Sequence, residues 1–151
     1  CQALLDRLAG RPSTFPLKQA TLQLMTSPAQ PGHSDGQLKA ANDTARQAIE
    51  KTPNSIDPLL APDYPAIAGQ NLRGLGWDID TELSKPRGML FPIGSFGHSG
   101  FTGVTLWLDP GSDTYVVVLA NVIHQRGGPP IVRLSGDIAT IAARVLNLYR
   151  N

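Results

Sequence analysis

The chain opens on apolar residues at helical spacing. In "CQALLDRLAG" the residues Ala3, Leu4, Leu5 and Leu8 share one helix face, and Gly10 followed by Pro12 gives the usual stop. "PLKQATLQLMTSP" repeats the pattern with Leu17, Ala20, Leu24 and Met25 on one face, which predicts a second short helix closed by Pro28. "AQPGHSDGQ" is a polar, turn-rich loop. Leu38 to Thr52 has strong helix formers but few large apolar groups, which predicts a solvated surface helix. "PNSIDPLLAPDYPAIAG" carries four prolines and predicts a loop lying over the surface.

The period changes at Arg73. "RGLGWDID" is glycine-rich and then alternates, which predicts a strand that lets another backbone approach closely. "TELSKPRGMLFPIGS" reads as a loop. In "FTGVTLWLDP", Val104, Leu106 and Leu108 alternate with Thr105 and Trp107, the pattern of a half-buried strand. "DPGSD" supplies a hairpin turn, starting at Asp109. The β-branched run "TYVVVLANV" predicts a central strand covered on both faces. From Ile131 to Tyr149, a stripe of Leu134, Ile138, Ile141, Val145 and Leu148 predicts an amphipathic helix packed by that stripe onto the sheet. The expected fold class is α+β, with about three antiparallel strands flanked by helices. Residues 1–151 read as a single partial domain and 31–69 as a loop-rich insertion within it.

Composition narrows the function classes. The apolar fraction of 41% and charged fraction of 17% are those of a globular chain. A formal charge of +1 with no basic cluster argues against nucleic acid as a partner. The longest apolar runs are about half the length of a membrane-spanning helix. The lone cysteine, Cys1, excludes an internal disulfide, leaves the compartment open and reads as a buried thiol. No basic segment followed by an apolar stretch marks a signal peptide. The opening residues read as the continuation of a helix already under way, so the chain is expected to be a piece of something longer.

Candidate chemistry centres on "FGHSGFTG", where glycine recurs at Gly94, Gly97, Gly100 and Gly103 around a His98-Ser99 pair. The stretch is no nucleophile elbow, because "GHSGF" places Phe101 where G-x-S-x-G needs its last glycine. It is no dinucleotide fingerprint, since no helix is predicted after it. His33, His98 and His124 are dispersed and no acidic or cysteine cluster stands at ligand spacing, so neither a metal nor another cofactor is expected. A His-Ser-Gly before a strand is often only a turn. Its functional alternative is a hydroxyl and an imidazole projecting from a strand whose glycine leaves the backbone bare for a substrate carbonyl or carboxylate. His98 and Ser99, adjacent on a strand, point to opposite faces and cannot pair as base and nucleophile.

The order of motifs favours the functional alternative. A Gly-Trp strand, a Pro-Gly loop, "FGHSGFTG", "LWLDP", a hairpin, "YVVVLAN" and a helix resemble the C-terminal part of the serine β-lactamase and penicillin-binding-protein family, in its class C, D-Ala-D-Ala carboxypeptidase and esterase branch. "LDRLAGRPSTFPLKQATLQLMTSP" resembles the segment that closes that family's helical region. The resemblance covers roughly residues 1–28 and 72–149 and implies the family fold, with acyl-enzyme chemistry on a peptide, β-lactam or ester. It further implies a third box at His98-Ser99-Gly100, on the edge strand beside the active site. In that assignment His98 sets the electrostatics, Ser99 bonds the substrate carboxylate or carbonyl, and the Phe101 N–H forms half of an oxyanion hole. Gly100 and Gly103 leave room for substrate. The family's other two boxes are not found ahead of it: none of the nine serines begins a Ser-x-x-Lys, and the one Tyr-x-Asn, Tyr149-Arg150-Asn151, stands after the third box where the family has it before. The resemblance therefore implies a missing N-terminal half as partner, no turnover by this chain alone, and a periplasmic or secreted whole protein. The competing expectation is a non-catalytic binding or self-associating module.

Overall fold

The computed structural model describes residues 1–50, 71–123 and 131–149. These form four helices, α1 (Gln2–Leu8), α2 (Gln19–Thr26), α3 (Asp35–Glu50) and α4 (Ile131–Val145). They also form one antiparallel sheet of β1 (Leu72–Arg73), β2 (Asp78–Asp80), β3 (Phe96–Ser99), β4 (Thr105–Asp109) and β5 (Thr114–Val118). The strands stand in chain order, β1-β2-β3-β4-β5, each hydrogen-bonded to the next. The α+β class holds, with five strands rather than three. One extra strand comes from "LRGLGWDID", expected as a single strand, which turns back on itself at Gly76, in a left-handed conformation, and splits into the β1–β2 pair; the other is β3, the "FGHS" ahead of the Gly100–Gly103 turn. None of the described helices is long and apolar enough to cross a membrane.

Alternation along β3 and β4 sends side chains to two cores. Phe96 and Leu108 join Leu4, Leu5, Leu22 and Ile79 on the face covered by α1 and α2. Trp107 joins Phe91, Ala139 and Ala143 on the face covered by α4. Gly74 lies so close to the end of α2 that an added Cβ would stand 2.1 Å from the Met25 carbonyl oxygen, the close backbone approach expected of this segment. Arg11 links α1 to the β4–β5 hairpin through Asp113, at 2.6 Å.

Several elements depart from expectation for one reason: hydrophobicity says what can be buried, not what covers it. β5 is the last strand of the sheet, not a central one, and Tyr115 and Val117 on one of its faces are exposed. On α2 only Leu22 is fully buried, while Ala20 and Leu24 face outward, and Leu17, expected on the same face, lies exposed before the helix begins. α4 packs through its small residues Ser135, Gly136, Ala139, Thr140 and Ala143, and the expected stripe is turned outward at Leu134, Ile141 and Val145. Cys1 is exposed rather than buried. Within 31–69, the surface helix expected over Leu38–Thr52 forms as α3, beginning earlier at Asp35, and the proline-rich stretch and His124 lie outside the described residues.

The supposed loop "TELSKPRGMLFPIGS" is largely interior. Its 3-10 turn, Lys85–Arg87, buries Pro86 and Arg87, and Phe91 closes the second core. Arg87 reaches the Asp80 carboxylate at 3.0 Å and donates to the Ile79 carbonyl at 3.1 Å. The other oxygen of Asp80 meets His33 Nε2 at 2.8 Å, so the loop before α3 is clasped to β2 by a buried His33–Asp80–Arg87 group. A buried carboxylate is tolerated only when paired in this way.

Candidate functional site

β3 carries the His98-Ser99 pair and is interior for half its length. It pairs with β4 throughout, with Gly97 opposite Trp107, His98 opposite Leu106 and Ser99 opposite Thr105. On its other side it pairs with β2 only at Asp78↔Gly97. The third-box strand is therefore not an edge strand as a whole. Its first half is covered on both sides, and only from His98 onward is the β2 side open among the described residues. The cause is local: the chain enters β2 only at Asp78, after the turn at Gly74–Trp77, so β2 is too short to cover the end of β3.

The ladder fixes which groups face the opening. Gly100 N–H donates to the Val104 carbonyl at 2.7 Å. Residues of an antiparallel strand alternate between directing both backbone groups to one neighbour and directing both to the other. Counting back from Gly100, Ser99 turns its N–H and C=O away from β4, toward the open side. Phe101 continues the alternation, and among the described residues its N–H donates to no backbone carbonyl. Gly103, with a left-handed φ of 102°, closes the turn by donating to the Gly100 carbonyl at 3.0 Å.

The side chains add to this opening. Ser99 Oγ is buried and makes no hydrogen bond among the described residues, an arrangement that costs about 1–3 kcal/mol unless a partner arrives. It lies on the α4 face beside Thr105, whereas the exposed His98 lies on the α1–α2 face, so the two cannot act as base and nucleophile. Phe101 is 93% exposed at the turn tip and offers backbone, not a packed side chain. Gly100 and Gly103 flank it, and a Cβ on Gly103 would meet Val122 and Ile131 at 3.2–3.3 Å. His98, Ser99, Gly100, Phe101 and Gly103 are thus brought together along one short open stretch. Among the described residues no cluster of His, Cys, Asp or Glu could hold a metal ion.

Other polar groups have structural positions. Trp107 donates from Nε1 to Ser95 Oγ at 2.9 Å, and Trp77 packs edge-on against Phe96, ring centroids 5.1 Å apart. Asp109 organises the hairpin, accepting from the Gly111 N–H at 3.2 Å, the Ser112 hydroxyl at 2.5 Å and the Tyr149 hydroxyl. Burial first, then the hydrogen bond to Asp109, pushes the Tyr149 hydroxyl well above the ordinary tyrosine range. Asn121 is exposed and ties down the Ile123 N–H at 3.1 Å. The orphaned Ser99 hydroxyl is readable from the box, but the short reach of β2 that opens its edge has no signal in residue type.

No family model matches the chain, and neither the curated proteins nor the solved structures provide a match to it.

Proposed function

We propose that this chain supplies the third-box wall of a serine acyl-transfer hydrolase of the β-lactamase and penicillin-binding-protein kind, and that its sheet and helices are the C-terminal portion of that fold. The observation that carries the reading is Ser99, whose backbone N–H and C=O face an open stretch of strand and whose buried hydroxyl has no partner among the described residues. A substrate laid along this stretch gains backbone hydrogen bonds by strand addition. The Ser99 hydroxyl donates to its carboxylate or carbonyl, and His98 biases the local charge on the other face. The Phe101 N–H supplies one donor to the oxyanion that forms when a serine attacks the carbonyl carbon.

The attacking serine and its base belong to a complementary segment, because this sequence contains no Ser-x-x-Lys and no Tyr-x-Asn before the third box. The chain alone therefore turns nothing over. An oxyanion donor is worth about 3 kcal/mol in the transition state and nothing without a nucleophile. Substrates fall in the class of D-Ala-D-Ala peptides, β-lactams and simple esters, and histidine in the first position of the box favours the esterase and peptidase branches.

The test is complementation. Joining this chain to an N-terminal half that carries the two missing boxes is expected to give hydrolysis of a chromogenic β-lactam or ester. Ser99→Ala in the joined protein is expected to lower kcat/KM by about 10- to 100-fold, the range of one hydrogen bond to a charged group. His98→Ala is expected to lower it as well. Equal rates in parent and both variants would remove the box from the chemistry.

A further inference from the structure

We infer that Thr105 is a positioning residue for Ser99, its hydroxyl donating to Ser99 Oγ while Ser99 donates to the substrate; the inference rests on the third-box reading proposed above. Thr105 stands opposite Ser99 on the neighbouring strand. The bond from the Gly100 N–H to the Val104 carbonyl marks those two as the hydrogen-bonded pair. By alternation, Ser99 and Thr105 form the non-hydrogen-bonded pair beside it, where facing side chains come closest and Cα atoms stand about 4.5 Å apart. Both side chains lie on the α4 face, the face of Trp107 two residues along β4.

The fold leaves both hydroxyls unused. Ser99 Oγ is buried without a partner, and Thr105 is only 4% exposed and makes no side-chain hydrogen bond among the described residues. Their neighbours on this face of the sheet offer nothing. The next β3 residue on the face is Gly97, which has no side chain, and the Trp107 ring lies over it with its N–H committed to Ser95 Oγ. Across from Thr105 on β5 stands Val118. Cross-strand threonine–serine pairs gain stability by bonding to each other. The spacing of this pair puts the two hydroxyls within one side-chain rotation of that bond.

The direction of the bond follows from what a hydroxyl can do. Each has one proton to donate and two lone pairs that accept. A substrate carboxylate or carbonyl on the open side of β3 only accepts, so Ser99 gives its proton there and its oxygen remains an acceptor. Thr105 is the donor placed to fill it, from the strand on the side of β3 away from the substrate. The result is a relay from Thr105 O–H to Ser99 O–H to substrate oxygen, each bond strengthening the next by about 10–30%. Thr105 touches no substrate. It acts by fixing the rotamer and the proton direction of Ser99, and His98, on the other face, takes no part.

The test is a titration of the whole chain with N-acetyl-D-Ala-D-Ala, followed through the amide resonances of Ser99 and Phe101 and repeated on variants. Thr105→Val keeps the β-branched shape and removes the hydroxyl; Thr105→Ser keeps the hydroxyl. Thr105→Val is expected to raise Kd about 5- to 10-fold, the range of one hydrogen bond, with Thr105→Ser within about 2-fold of the parent. In a Ser99→Ala background Thr105→Val is expected to change nothing further, because the relay runs through Ser99. Its urea midpoint should be no lower than the parent's, since the hydroxyl is unpaired in the fold. An unchanged Kd in Thr105→Val, a further loss in the Ser99→Ala background, or a lowered midpoint would overturn the inference. Affinity lost with Ser99→Ala but not with Thr105→Val would reject the relay and keep the third-box reading. No shift at Ser99 or Phe101 in the parent would reject both.

Discussion

At Gly97 the backbone of β3 passes so close to its neighbour that an added Cβ would stand 2.2 Å from the Leu106 carbonyl oxygen and 2.2 Å from the Trp107 ring. Neither obstacle is the far end of a flexible side chain, so relief requires moving β3 against β4. Gly97→Ala is therefore expected to cost about 1–3 kcal/mol of stability, read as a lower urea midpoint. An unchanged midpoint would mean that the β3–β4 register, and the direction it gives Ser99, is wrong. Tyr149 makes a second residue-scale prediction. Its hydroxyl titrates higher folded than unfolded, because burial and Asp109 favour the protonated form. The stability this confers is fully present below the ordinary tyrosine value of about 10 and is lost as pH rises above it. Tyr149→Phe should flatten the fall in stability between about pH 10 and 11.5; an unaltered alkaline slope would deny the bond. At this scale the sequence identifies Ser99 and the hairpin role of Asp109. It is silent on the His33–Asp80–Arg87 clasp, because the alternation of "DID" does not mark which carboxylate will be buried against partners 47 and 7 residues away.

Among elements, α4 departs furthest from its sequence pattern, and two glycines account for it. Gly88, with a left-handed φ of 68°, and Gly136 of α4 face each other across the helix–turn contact. A Cβ on Gly88 would lie 2.4 Å from the Gly136 carbonyl oxygen, and one on Gly136 would lie 2.5 Å from that of Lys85. Thr140 adds a bond, its Oγ1 accepting from the Met89 N–H at 2.9 Å. Close backbone approach wins over burial of the large stripe, and periodicity alone reports only the stripe. Gly136→Val should push α4 off the turn, at about 2–3 kcal/mol, and change the near-ultraviolet circular dichroism of Trp107 beneath it. A variant of parental stability and spectrum would contradict the crossing. β5 teaches the same lesson: a β-branched run says strand, and only the order of strands says whether it is central or last.

For the whole molecule, period-two and period-3.6 patterns make the class legible, with helices, then an antiparallel sheet, then a helix. Strand number is less legible, because the two- and three-residue strands β1 and β2 are too short to establish a period. The site is half legible. The box "HSG" names the candidate residues, but the open edge beside them depends on where β2 begins. In the function proposed above, this chain holds a substrate and stabilises an oxyanion, and the nucleophile lies elsewhere. Intact-mass spectrometry tests that statement most directly, after incubation with a fluorescent penicillin and, separately, with a fluorophosphonate, alone and with a complementary half bearing Ser-x-x-Lys. The account predicts no adduct on this chain in either setting, and an adduct on the complementary half when both are present. A stoichiometric adduct on this chain, mapped to one of its own serines, would contradict it.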